Sequence, residues 1–126
     1  TMFSRASVFN QPIVDWNVSS VHEITSMFFN ATQFNQPVGS WDTSSVTDMR
    51  WVFYRTYSFN QPISGWDTSS ARSMIRMFQY ATAFNQPIDD WNVSSLTDMQ
   101  GMFLAAHAFN HPLDSWDVSK VNDMGK

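Results

Sequence analysis

The tetrapeptide Phe-Asn-Gln-Pro begins at Phe9, Phe34, Phe59 and Phe84, and Phe-Asn-His-Pro begins at Phe109, so one motif returns every 25 residues without insertion. Seven residues after each Phe comes a Trp: Trp16, Trp41, Trp66, Trp91 and Trp116. Then follow Asp or Asn, Val or Thr, and Ser. Further on come Val21, Val46, Ala71, Leu96 and Val121, with Ile24, Met49, Met74, Met99 and Met124 three residues later. A hydrophobic pair completes the unit at Met27-Phe28, Val52-Phe53, Met77-Phe78 and Met102-Phe103. A strict period of this length is the signature of a stacked repeat architecture, in which one unit cannot bury its apolar face without neighbours. Recurrence therefore marks packing positions. Five equivalent Trp residues are five packing sites, not five active sites.

Within the unit, Ile13-x-x-Trp16-x-Val18 and its equivalents have the apolar spacing of a leucine-rich-repeat strand. Short parallel strands are expected at 16–18, 41–43, 66–68, 91–93 and 116–118, with Trp inward and the Asp or Asn outward. Val46, Met49, Phe53 and Thr56, like Leu96, Met99, Phe103 and Ala106, are spaced 3, 4 and 3, which predicts a short helix. Ser20-x-x-Glu23 fits a capping box, and Ser45-Val46-Thr47-Asp48 resembles one. The predicted class is an α/β repeat solenoid, leucine-rich-repeat-like, with strands on one face and helices on the other. One domain covers residues 1–126. Residues 1–8 supply the end of a repeat and 109–126 the beginning of one, with no polar cap. A longer array is the expectation, with end-to-end self-association the alternative.

The segments Trp41-Asp42-Thr43-Ser44-Ser45-Val46-Thr47-Asp48-Met49 and Trp91-Asn92-Val93-Ser94-Ser95-Leu96-Thr97-Asp98-Met99 closely resemble the repeat of the BspA-like leucine-rich-repeat surface proteins. The resemblance covers essentially the whole chain. It implies an extracellular or cell-surface protein engaged in adhesion and protein contact, and it brings no catalytic residues. Ala71-Arg72-Ser73, Trp51-Val52, His111 and Lys120 depart from the pattern.

The remaining chemistry is sparse. A formal net charge of −4 disfavours nucleic acid, which needs a basic field. Cysteine is absent, and no run of eighteen apolar residues could span a bilayer. No Ser has a partnered His, so no nucleophile set assembles. His107 and His111, separated by the Phe-Asn loop, do not make a metal pair. No metal site and no cofactor are expected. Asn17, Asp42, Asp67, Asn92 and Asp117 form a polar ladder, read either as a solvated face bonded to local backbone or as a polar binding face. Arg50, Trp51, Tyr54, Arg55, Tyr57, Arg76 and Tyr80, with Arg72 and Ile75, cluster at positions that vary between repeats. Trp, Tyr and Arg are the residues enriched at interface hot spots. They also suit the alternative of side chains shielding an aromatic core. Asn17, Asn30 and Asn92 sit in glycosylation acceptor patterns. These features point to a non-catalytic module that binds a protein or cell-surface partner, with a self-stacking scaffold subunit as the second reading.

Overall fold

A computed structural model describes residues 2–125, and its backbone is a stack of coils built from tight turns. The α/β assignment is overturned: among the described residues there is no α-helix and no extended strand ladder, and β pairing is confined to isolated parallel bridges. These bridges run Glu23 to Asp48, Asp48 to Ser73, Ser73 to Asp98 and Asp98 to Asp123. The leucine-rich-repeat description, with its strands and helices, falls with that assignment.

The segment read as a helix explains the error. Hydrogen bonds of the i to i+3 kind close successive turns at Ile24–Met27, Ser26–Phe29, Phe28–Ala31 and Ala31–Phe34, at 3.0, 3.2, 2.9 and 3.0 Å. Such a run throws residues 24, 27, 28, 31 and 34 inward, and all of them are buried. The spacing is that of an amphipathic helix, so apolar periodicity does not separate the two structures. Hydrogen bonding does. A helix would send the Phe28 N–H to the carbonyl of residue 24. Here the N–H groups of Ile24, Ser26, Phe28 and Asn30 leave the repeat for the carbonyls of Asp48, Arg50, Val52 and Tyr54, at 3.1, 2.9, 3.0 and 2.7 Å. Met49, Trp51, Phe53 and Arg55 repeat the pattern onto Ser73, Ile75, Met77 and Gln79. The expected caps fail too, because Asp48 Oδ1 accepts the N–H of Arg50, two residues on, and so closes a turn.

The segment read as a strand is different again. Residues 16–18 lie between turns closed by Trp16 N–H to Ile13 and Val21 N–H to Val18. Residues 17 and 19 form a side-chain turn, which bends the chain away from a ladder. Side chains bridge neighbouring coils there instead. Trp41, Trp66 and Trp91 donate from Nε1 to the carbonyls of Ile13, Val38 and Ile63, at 3.2, 2.9 and 3.1 Å. Each of these Trp residues is 3 % exposed.

Inside, aromatic rings stack along the coil axis. Phe28, Phe53 and Phe78 succeed one another at 5.6 Å, and Phe34, Phe59 and Phe84 at 6.0 Å. Across the core Phe53 faces Trp66 at 5.9 Å, so the Trp wall and the Phe wall enclose the same interior. The Asn of every Phe-Asn motif forms a second ladder: Asn10, Asn35, Asn60 and Asn85 each accept at Oδ1 the N–H of the equivalent Asn one repeat later, at 2.9–3.0 Å. Gln36 and Gln86 reach back to the same Asn residues and His111 to the Asn85 carbonyl, so the loop is bonded along its length.

Candidate functional site

The continuous turns make two corners per repeat where the backbone enters the left-handed region. The first corner holds Ser26, Trp51, Arg76 and Gly101, with φ of 55, 56, 53 and 61°. The second holds Arg5, Asn30, Arg55, Tyr80 and Ala105, with φ of 64, 59, 54, 61 and 59°. These are third residues of turns that favour Gly or Asn, because other L-residues there bring Cβ against the following carbonyl. Only Gly101 and Asn30 match the preference. In repeats two and three the corners carry Trp51, Arg55, Arg76 and Tyr80, four of the seven residues of the arginine–aromatic cluster. Bulky residues in this region cost about 1–2 kcal/mol each. Their retention where Gly or Asn would be more stable makes these corners the candidate site.

The cluster members meet. The Arg55 guanidinium lies over the rings of both Tyr54 and Tyr80, at 5.4 and 5.3 Å. Tyr54 and Tyr80 meet edge to face at 5.9 Å, and Phe29 stacks on Tyr54 at 4.7 Å. Arg50 lies 5.4 Å over Trp51 and forms an ion pair with Asp48 at 2.6 Å. Burial alone would raise the Asp48 pKa, but hydrogen bonds and charge from Arg50 hold it below the ordinary carboxylate value. Arg55, Arg72 and Arg76 are exposed and have no carboxylate partner among the described residues. Tyr57 is 41 % exposed and Ile75 half-buried. Gln79, between the corners, is buried with no hydrogen-bond partner for Oε1, and the Ser73 hydroxyl is in the same position.

The polar ladder is bonded to its own repeat. Asn17, Asp42, Asp67 and Asn92 each accept at Oδ1 the N–H and the hydroxyl of the Ser two residues later, and Asp117 accepts the Ser119 N–H. The Ser hydroxyl and N–H hold the carboxyls of Asp42, Asp67 and Asp117 below their ordinary value. The same bonds engage Asn17 and Asn92 of the acceptor patterns, both exposed, whereas Asn30 is half-buried on a corner. His22 Nδ1 lies 3.1 Å from the Ser45 carbonyl, and His107 is exposed. Among the described residues no three His, Asp or Glu side chains converge as metal ligands, and no helix is long and apolar enough to cross a membrane.

Variation between repeats was the signal that found the corner residues. The left-handed backbone beneath them had no signal, since Trp, Arg and Tyr do not announce it. The Asn ladder was missed, although an Asn in all five copies was available to mark it.

A family model described as "Mycoplasma protein of unknown function, DUF285" matches the chain over residues 1–50 and again over 36–126. No curated protein and no solved structure matches it.

Proposed function

We propose that this chain, which belongs to the DUF285 family, is a non-catalytic module that binds a protein partner through the corners of repeats two and three. The observation that carries the reading is the occupation of left-handed corners by Trp51, Arg55, Arg76 and Tyr80. Those side chains lower stability where they stand, and they are of the types that dominate interface energetics. Support for a non-catalytic role comes from the engagement of the ladder hydroxyls: Ser44 and Ser69 donate to Asp42 and Asp67, with no imidazole as third member. A cell-surface setting and an adhesive role rest on the likeness of the repeat to the BspA-like surface proteins.

A photo-crosslinking residue placed at position 51 or 80, and for comparison at position 42 or 67, tests the reading in the full chain within its own cell. Discrete adducts from 51 and 80, with none from 42 and 67, are expected. Adducts confined to 42 and 67 would move the binding face to the polar ladder. Trp51→Ala with Arg55→Ala should abolish the adduct from position 80 while leaving thermal stability nearly unchanged, since Ala keeps the Cβ that strains the corner.

A further inference from the structure

From the charge pattern around these corners we infer that the partner presents an acidic, extended peptide segment, a reading that rests on the proposed function. The chain is acidic overall, at −4, yet its charge is segregated. Asp15, Asp42, Asp67, Asp89, Asp90, Asp114 and Asp117 lie along the wall that carries the Trp residues. All five arginines, Arg5, Arg50, Arg55, Arg72 and Arg76, lie in the opposite part of each coil, the run of parallel bridges and left-handed corners that forms a wall of turns. That wall has its own acidic column at Glu23, Asp48, Asp98 and Asp123, and the column is interrupted once, at Ser73. Arg72 and Arg76 flank the interruption. Arg50 is neutralised by Asp48; of the four arginines without an ion pair among the described residues, Arg55, Arg72 and Arg76 fall in repeats two and three as a positive island, with Arg5 apart in the first coil.

The island is preorganised. Corner residues alternate as Trp51 and Arg55 in repeat two, then Arg76 and Tyr80 in repeat three, so each corner column holds one cation and one aromatic residue, and in the second column Arg55 lies 5.3 Å over the Tyr80 ring. Tyr54 and Tyr80 flank Arg55 from the ring side. Its N–H groups retain their capacity for the two parallel bonds that a carboxylate accepts. Equivalent rings of successive coils are 5.6 Å apart at Phe53 and Phe78. Alternate side chains of an extended peptide are about 6.7 Å apart. An extended segment crossing the two repeats therefore has side chains at roughly the repeat spacing, with carboxylates for Arg55 at one corner of repeat two and Arg76 at the other corner of repeat three, and apolar residues between them for Trp51, Tyr80 and Ile75. Three unpaired cations are few for a polyanionic glycan or nucleic acid, whose affinity grows with the number of ion pairs. A short acidic peptide with apolar residues between its charges fits better.

The test uses a labelled octapeptide alternating Glu and Val, the same peptide with Gln for Glu, and an oligoglucuronate of equal charge. Each is titrated onto the whole chain by fluorescence anisotropy at about 50 and about 200 mM salt. Saturable binding of the Glu peptide is expected, weakened at least about tenfold by Arg55→Asn with Arg76→Asn. Asn tolerates the left-handed corner and already occupies it at Asn30, so these variants remove charge and keep the fold. Arg5→Gln should bind like the parent chain. Equal binding of the Gln peptide, indifference to the double Asn variant, or tighter binding of the oligoglucuronate would overturn the acidic-peptide assignment. If the octapeptide fails while adducts from positions 51 and 80 persist, the partner chemistry falls and the interaction reading stands.

Discussion

Repeats two and three differ from repeat four at their corners, while their interiors are built alike. Phe53, Phe78 and Phe103 continue one ring stack at 5.6 Å, and Trp66, Trp91 and Trp116 another at 6.3 and 6.4 Å. At the two left-handed positions repeat four has Gly101 and Ala105, against Trp51 and Arg55 in repeat two and Arg76 and Tyr80 in repeat three. The interior follows what stacking requires. In repeats two and three both corners contradict what their backbone prefers, whereas in repeat four only Ala105 does. A chain selected for stability alone would carry Gly or Asn at every corner.

The largest expected effects test the shared interior. Phe53→Ala and Phe78→Ala each remove a fully buried ring that touches rings on both neighbouring coils, and each should lower stability by about 3–5 kcal/mol. The two losses, measured by denaturant unfolding, should agree within about 1 kcal/mol because the sites are equivalent. A large inequality would mean that the repeats differ in their cores as well as in their corners.

Corner substitutions sharpen the contrast at smaller magnitude. Arg76 makes no ion pair among the described residues, so Arg76→Gly mainly relieves the backbone. Relief of about 1–2 kcal/mol, less the roughly 0.5–1 kcal/mol of chain entropy that Gly adds to the unfolded state, leaves a gain of about 0.5–1 kcal/mol. Gly101→Ala should go the other way by about 1 kcal/mol. Opposite signs at one structural position in adjacent repeats would establish that Arg76 is retained against stability. A loss on Arg76→Gly would assign the arginine a structural role and remove the main support for the corner site.

The same contrast marks how far the sequence could be read. The period of 25 and the inward direction of the motif Phe and of Trp41, Trp66 and Trp91 were legible because identical coils need identical packing, whereas Trp16 in the first repeat is 40 % exposed. Secondary structure was not, since turns closed every three or four residues and a helix produce the same apolar spacing over 24, 27, 28 and 31. What separates them is the destination of alternate N–H groups, and no residue type records it. Asp48 and Asn17 could have argued for turns rather than caps, because both Asx residues bond a backbone N–H two positions on. The corner cluster was legible as variation between repeats. Its cost was not, because the positive φ belongs to the turn and is carried by residues that ordinarily avoid it.

The smallest expected effect concerns the turn ladder, where the repeats offer a comparison of their own. Asn17 and Asn92 make the same pair of bonds to Ser as Asp42 and Asp67 do, but an amide does not titrate. Hydrogen bonds from Ser hold the carboxyls of Asp42, Asp67 and Asp117 below their unfolded value. A depressed folded pKa contributes stability above the unfolded pKa and loses it as pH falls through the folded one. Acid should therefore weaken the Asp repeats and spare the Asn repeats. The triple variant Asp42→Asn, Asp67→Asn and Asp117→Asn should melt within about 2 °C of the parent at neutral pH, since Asn preserves the turn. Its melting temperature should fall less than the parent's between pH 7 and the acid side of the ordinary carboxylate range. Asp48 remains in that variant, held low by Arg50 against the effect of burial, and accounts for the acid sensitivity that persists. Arg50→Gln should then remove part of that remainder. An acid response identical in parent and triple variant would show that the Ser–Asp bonds do not couple to folding, and Asp48 would stand as the stabilising carboxylate on the wall of turns.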